Sequence, residues 1–164
     1  MNRLVSFLLG LVALVAVACG GAQSGGAASG DSFTGPNELD FLVTSPVRRQ
    51  MPPERHRGTA VVLSDDGQQM QLELRMVDGG DVCRIDATRA GAGPLTVAPA
   101  QCSSRFVYEE SPTAAVVQIQ EGTVTLGAGT LSVALSGRFV ANVRSGSGVS
   151  EVSGVARWTF EGRR

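Results

Sequence analysis

The chain reads as an all-β protein, a single antiparallel β-sandwich or small β-barrel of about seven or eight strands. Two observations predict this. Apolar and polar residues alternate with a period of two over much of the chain beyond residue 37, and short Gly- or Asp-rich turns interrupt the alternation. No stretch carries a convincing helical spacing of apolar residues.

Taken in order, Thr59–Leu63 is the first clear strand of the main sheet, and Asp65-Asp66-Gly67 turns it into a second. In that second strand Leu72, Leu74 and Met76 alternate with Gln71, Glu73 and Arg75. Asp78-Gly79-Gly80-Asp81 is the next turn, and Val82–Thr88 follows with Cys83, Ile85 and Ala87 on one face. Ala114–Leu126 and Thr130–Arg144 form a long pair joined at Gly127-Ala128-Gly129. The second of them aligns Leu131, Val133, Leu135, Phe139, Ala141 and Val143 on one face, and Gly137 within that row predicts a bend or bulge. Val152–Glu161 closes the chain, with Ala156, Trp158 and Phe160 on one face. The long pair favours strands that curve around a barrel-like core.

Ahead of this domain the chain changes character twice. Met1-Asn2-Arg3 is a short basic start, Leu4 to Ala18 is apolar, and Cys19 is followed by Gly20-Gly21. That order is the order of a secretory signal. As a helix the apolar run spans only about 22 Å, short of a hydrocarbon core of about 30 Å. Gly20 to Pro36 is rich in Gly, Ala and Ser and almost uncharged, which reads as a flexible tether with a root-mean-square span of about 23 Å. The sequence therefore divides into a signal (1–18), Cys19 with its tether (19–36) and an all-β globular domain (37–164).

The boundary Ala16-Val17-Ala18-Cys19 resembles the lipobox of bacterial lipoproteins, with Ala16 where that family usually has Leu, Val or Ile. The resemblance covers the first 20 or so residues. It implies that Cys19 receives a diacylglycerol, that residues 1–18 are removed and that the new N-terminus is acylated, so that a palmitate-type anchor holds the protein to a membrane. It places the protein in the bacterial cell envelope. Gly20 differs from the Asp that retains some lipoproteins at the inner membrane, which implies the outer membrane, facing either the periplasm or the cell surface. The competing reading is ordinary cleavage after Ala16-Val17-Ala18, with Cys19 left as a free thiol. The domain from Asn37 onward resembles, in general pattern only, the small all-β lipoproteins of GC-rich Gram-negative bacteria.

Cysteine usage agrees with lipidation. The chain has three cysteines. With Cys19 lipidated, Cys83 and Cys102 remain as a pair suited to an exported protein, and a disulfide would close a loop of about 20 residues. Two buried free thiols are the alternative. Two cysteines and the single His56 do not make a closed metal site, so no metal or other cofactor is expected.

Few functions draw support from the composition. All 14 basic residues are arginine, in line with a GC-rich genome. Loss of Arg3 with the signal leaves 13 arginines against 15 carboxylates, a formal charge of −2. That balance gives no pull toward nucleic acid. His56 lies between Arg55 and Arg57 in what reads as a loop after Pro52-Pro53, without a nucleophile elbow in the chain. Asp78-Gly79-Gly80-Asp81 is read as a turn in preference to a calcium site. Glu109 and Glu110 read as a solvated strand end, since neighbours on a strand face opposite ways. Ser145-Gly146-Ser147-Gly148 lacks the lysine and helix of a phosphate loop. Above this background stand Arg48, Arg49, Arg55 and Arg57, within ten residues and opposed only by Glu54. They are the candidate residues for contact with an anionic surface: acidic lipid, lipopolysaccharide or an envelope protein. The expectation is a lipid-anchored, non-enzymatic binding or envelope-assembly module. The alternatives are an anchored inhibitor of an envelope-degrading enzyme and, behind it, an enzyme.

Overall fold

Ten antiparallel strands form one sheet that closes on itself. The computed structural model describes residues 27–76, 81–145 and 148–164. The strands are β1 (Ser32–Ser45), β2 (Arg49–Gln50), β3 (Glu54–Asp65), β4 (Gln69–Met76), β5 (Val82–Arg89), β6 (Leu95–Val97), β7 (Ala100–Tyr108), β8 (Ser111–Gly127), β9 (Thr130–Ser145) and β10 (Gly148–Arg163). Around the ring run β1, β3, β4, β5, β6, β8, β9 and β10, and β10 pairs with β1 to close it. Closure pairs most strands on both sides and leaves one unpaired stretch, between β5 and β7. The all-β expectation is met, and of its two architectures the ring is the barrel.

Two extra strands raise the count above the expected seven or eight. β2 is a two-residue pairing against Leu42 and Val43 of β1. β6 and β7 are one stave in two pieces: Leu95 faces Val124 and Ala100 faces Ile119, the same register against β8. Ala98-Pro99 separates the pieces, because proline has no N–H to continue a ladder.

The alternation read from the sequence sets the two faces. Phe33, Leu39, Phe41, Leu72, Leu74, Ile85, Phe106, Phe139, Trp158 and Phe160 point inward and are fully buried in a single cluster. Phe41 stacks on Phe106 at 4.9 Å and meets Phe139 edge-on at 5.1 Å, so aromatic rings fill the middle of the barrel. Arg55, Arg84, Gln101, Gln118, Arg138 and Arg157 face out and are exposed. This polarity is the reverse of a barrel that sits in lipid.

The barrel also takes in residues that composition assigns to the tether. Ala27 and Phe33 are buried, and β1 begins at Ser32, not near Asn37. Asp31 staples this entry. Its carbonyl accepts the Val62 N–H at 2.9 Å, its N–H donates to the Ala28 carbonyl at 3.0 Å, and its carboxylate meets Arg164 at 2.8 Å. Gly35 is in the strand for proximity: a Cβ there would lie 1.8 Å from the Glu161 carbonyl oxygen, so glycine lets β1 approach β10. Glycine that reads as flexibility is here a condition of closure.

The bend expected at Gly137 is a bulge in the neighbouring strand. The β8–β9 register shifts between Ile119 and Glu121, opposite Gly137 and Ser136. A Cβ on Gly137 would meet the Gln118 carbonyl oxygen at 2.1 Å. Cys19 and the rest of residues 1–26 lie outside the described residues, as do Asp78-Gly79-Gly80 and Gly146-Ser147.

Candidate functional site

The ring has one seam. β5 pairs with β6 from Ala87 to Arg89, and the Ala98 N–H reaches the Asp86 carbonyl at 2.8 Å. Beyond that point β7 pairs only with β8. Cys83 and Cys102 bridge the gap as a disulfide, with Cα atoms 4.5 Å apart. The pairing expected from cysteine arithmetic is therefore present, and both residues face the core.

At the tip of the β4–β5 hairpin the seam becomes a small cleft of about 170 Å³. Glu54 and His56 of β3, Met76 of β4, Asp81, Arg105 and Phe106 of β7 and Pro112 of β8 line it. β4 ends at Met76 and β5 begins at Val82, and beside those ends β3 and β7 face each other. Glu54 spans the opening. Its Oε1 accepts the Val107 N–H at 3.3 Å, and its Oε2 lies 3.4 Å from His56 Nε2.

Asp81 is the unusual member. It is only 5% exposed. Burial raises its carboxyl from 3.8 to about 6, against the pull of the Arg105 and His56 charges and with help from Glu54. In the sequence alone Asp81 reads as an ordinary turn residue, because aspartate favours turns. The signal that it differs is positional: it directly precedes Val82–Cys83, whose disulfide pins this end of β5 to the core.

His56 is not in a loop. It sits on β3, half-buried, where Glu54, His56, Gly58, Ala60 and Val62 form one inward-facing row. Pro52-Pro53 ends the preceding connection and β3 starts at once after it. Polar residues occupy the row where it reaches the mouth of the barrel.

The four candidate arginines are exposed, but they do not share one surface. Arg48 precedes β2, and Arg49 stands opposite the inward-facing Val43, so it lies over the mouth. There it borders a cleft with Glu109 and Glu110. Arg55 and Arg57 face outward from β3, and Arg55 pairs with Glu38 at 2.9 Å. That carboxylate raises the Arg55 guanidinium above its usual value, chiefly through the hydrogen bond. Arg57 borders a separate groove with Arg163 and Glu161. Glu109 and Glu110 form the exposed β7–β8 turn, with φ of 47° and 65°.

No family model matches the chain, and no curated protein or solved structure matches it.

Chemically, the seam cluster can hold and release a proton at Asp81 and can orient His56 through Glu54. Its cleft is smaller than the roughly 300–1,000 Å³ of a typical small-molecule site. The Glu54 carboxylate is already engaged by Val107 and His56. The cluster works as a clasp that joins β3 to β7 above the hairpin tip.

Proposed function

We propose that this protein is a lipid-anchored, non-catalytic binding or assembly module of the bacterial cell envelope, held through Cys19 at the outer membrane. The packed interior is the observation that supports the reading most. Phe33, Phe41, Phe106, Phe139, Trp158 and Phe160 occupy the space in which a ligand-carrying barrel would keep its cavity. Contacts with a partner then fall to the outer wall and the mouth, which carry the arginines. The point of entry supports an anchor as well. The stapled turn at Asp31 fixes where the chain joins the barrel, and residues 20–26 separate the buried Ala27 from Cys19.

Fractionation of the native host tests this reading. Wild type should sediment with membranes and resist a high-salt wash, while Cys19→Ser should appear in the soluble exported fraction. Equal retention of both after the wash would overturn it.

One observation favours an anchored inhibitor as a second reading. Val47, 71% exposed, stands between Pro46 and Arg48 on a loop over the mouth. A short apolar tip on a rigid scaffold suits insertion into another protein. On that reading Val47→Asp would abolish inhibition of an envelope-degrading enzyme and leave membrane retention unchanged.

A further inference from the structure

The apolar residues left outside the barrel are not scattered. Of the seven large apolar side chains exposed among the described residues, five (Val107, Val116, Val140, Val149 and Val155) lie on the β7–β10 wall. Val116 stands opposite Val140, and Val107 opposite Pro112. Val149 and Val155 stand opposite Arg144 and Arg138. Ala114, exposed between Pro112 and Val116, joins Val107, Pro112, Val116 and Val140 into a band, and Arg144 and Arg138 stand between that band and Val149 and Val155. A continuous apolar band on the outside of a domain marks a surface that meets something.

Arginines rim this band. Arg105 is opposite Ala114, Arg138 lies between Gln118 and Val155, and Arg144 is opposite Val149. The carboxylate within the band is Glu151, opposite Asn142. The other wall is different: Arg55, Arg75 and Arg84 are each bonded to a carboxylate there. Among the described residues Arg138 and Arg144 form no ion pair.

We propose that the β7–β10 wall rests on an anionic phospholipid surface, with the arginines at the phosphates and the valines against the acyl boundary. Charge complementarity supplies the attraction. An open depression lies in this wall, lined by Arg105, Ala114, Val116, Val140 and Asn142. A fluid bilayer fills such relief with mobile chains and headgroups, whereas a folded partner would need side chains shaped to it. A second copy fits poorly, since self-pairing about a two-fold axis would set arginine rims against each other. The inference goes beyond the proposed function, because the wall needs no lipid on Cys19 to bind. Each arginine near an anionic surface raises partitioning by about fivefold, so three amount to about 100-fold.

The test is flotation of the chain from residue 19 onward, carrying Cys19→Ser, with vesicles. One set contains phosphatidylglycerol and phosphatidylethanolamine, the other only phosphatidylcholine, each at low salt and at about 0.15 M, where screening sets in within about 8 Å. Wild type should float with the anionic set at low salt, less so at higher salt, and stay behind with the neutral set. Arg105→Gln, Arg138→Gln and Arg144→Gln together should lower partitioning by about 100-fold, and Arg138→Gln with Arg144→Gln, away from the Asp81 cleft, by about 25-fold without lowering the melting temperature. Val116→Ser with Val140→Ser should also weaken it. Arg55→Gln with Arg57→Gln, on the opposite wall, should float like wild type. A polarity-sensitive dye on Val140→Cys should shift to the blue with anionic vesicles, and one on Arg57→Cys should not. The proposal falls if wild type ignores anionic vesicles, if it floats equally with neutral ones, or if the opposite-wall variant loses as much as the triple variant. Because Cys19 is absent from every sample, none of these outcomes bears on the anchor.

Discussion

Trp158 of β10 donates its indole N–H to Asn37 Oδ1 of β1 at 2.5 Å, and both side chains are buried. The bond joins residues 121 positions apart, across the strand pair that closes the barrel. Gly58 on the third strand of the group makes room for it, since a Cβ there would meet Asn37 Nδ2 at 2.7 Å. Asn37 Nδ2 has no partner among the described residues, so the amide holds its place through the Trp158 bond. A buried polar pair of this kind fixes register where apolar packing alone would tolerate a slip.

Asn37→Ala should therefore destabilise the barrel by about 1–3 kcal/mol, because the Trp158 N–H is left buried and unbonded. Adding Trp158→Phe should cost less than it does alone, with a coupling of about 1 kcal/mol. Urea unfolding of the two single variants and the double variant measures this. Simple additivity would show that the bond carries no net energy.

Asp81 makes stability depend on pH in an unusual direction. Its folded carboxyl sits near 6 and the unfolded one near 3.8. Between those values the folded chain holds a proton that the unfolded chain has lost, so raising the pH disfavours folding. The contribution from this group is fully favourable below about pH 4 and is lost as pH passes 6. Asp81→Asn should remove that loss and stabilise the protein at pH 7–8 by on the order of 1–3 kcal/mol. Unfolding free energies across pH 4–8 for both proteins give the difference curve, which should rise to a plateau above pH 6. A flat difference would show that the Asp81 carboxyl is not desolvated.

Reduction of the Cys83–Cys102 disulfide should cost about 2–4 kcal/mol, since it closes a loop between residues 19 apart. The loss should be felt first along the seam. Hydrogen exchange at β5 and β7 should accelerate before the β8–β9–β10 side changes. Uniform acceleration would mean that the disulfide braces the whole ring.

The β7–β8 turn places Glu109 and Glu110 at positive φ, where tight hairpins prefer Asn and Gly. Glu109→Asn with Glu110→Gly should add about 1 kcal/mol and raise the melting temperature by about 3–5 °C. A lower melting temperature would mean that the two carboxylates make contacts that outweigh the backbone cost.

The parts of the fold legible in the sequence are those where one face is buried without exception. The Leu72-Leu74-Met76 row and the Leu131–Val143 row both read correctly as strands, because a period of two survives any local accident. Ala27–Pro36 reads as tether yet folds into the barrel for a physical reason: Gly35 and Pro36 look like a linker in composition, and only the close approach to Glu161 reveals their use. Phe33 was the apolar signal within that stretch. Around the seam, Glu54 and His56 hid the start of β3, since polar residues replace apolar ones where an inward row meets the mouth. The scattered placement of Arg48, Arg49, Arg55 and Arg57 was invisible for a related reason. Proximity in sequence says nothing of face once Met51-Pro52-Pro53 interrupts the strand. The valine band was equally hidden, because Val107, Val116 and Val140 come together only through register between strands.

The anchor is the central claim, and the intact mass of the mature protein tests it most directly. Purified from its native membrane, the chain should begin at Cys19 and carry the added mass of a diacylglyceryl group and an N-terminal acyl chain. A chain that begins at Cys19 with no added mass, or that retains residues 1–18, would contradict the account.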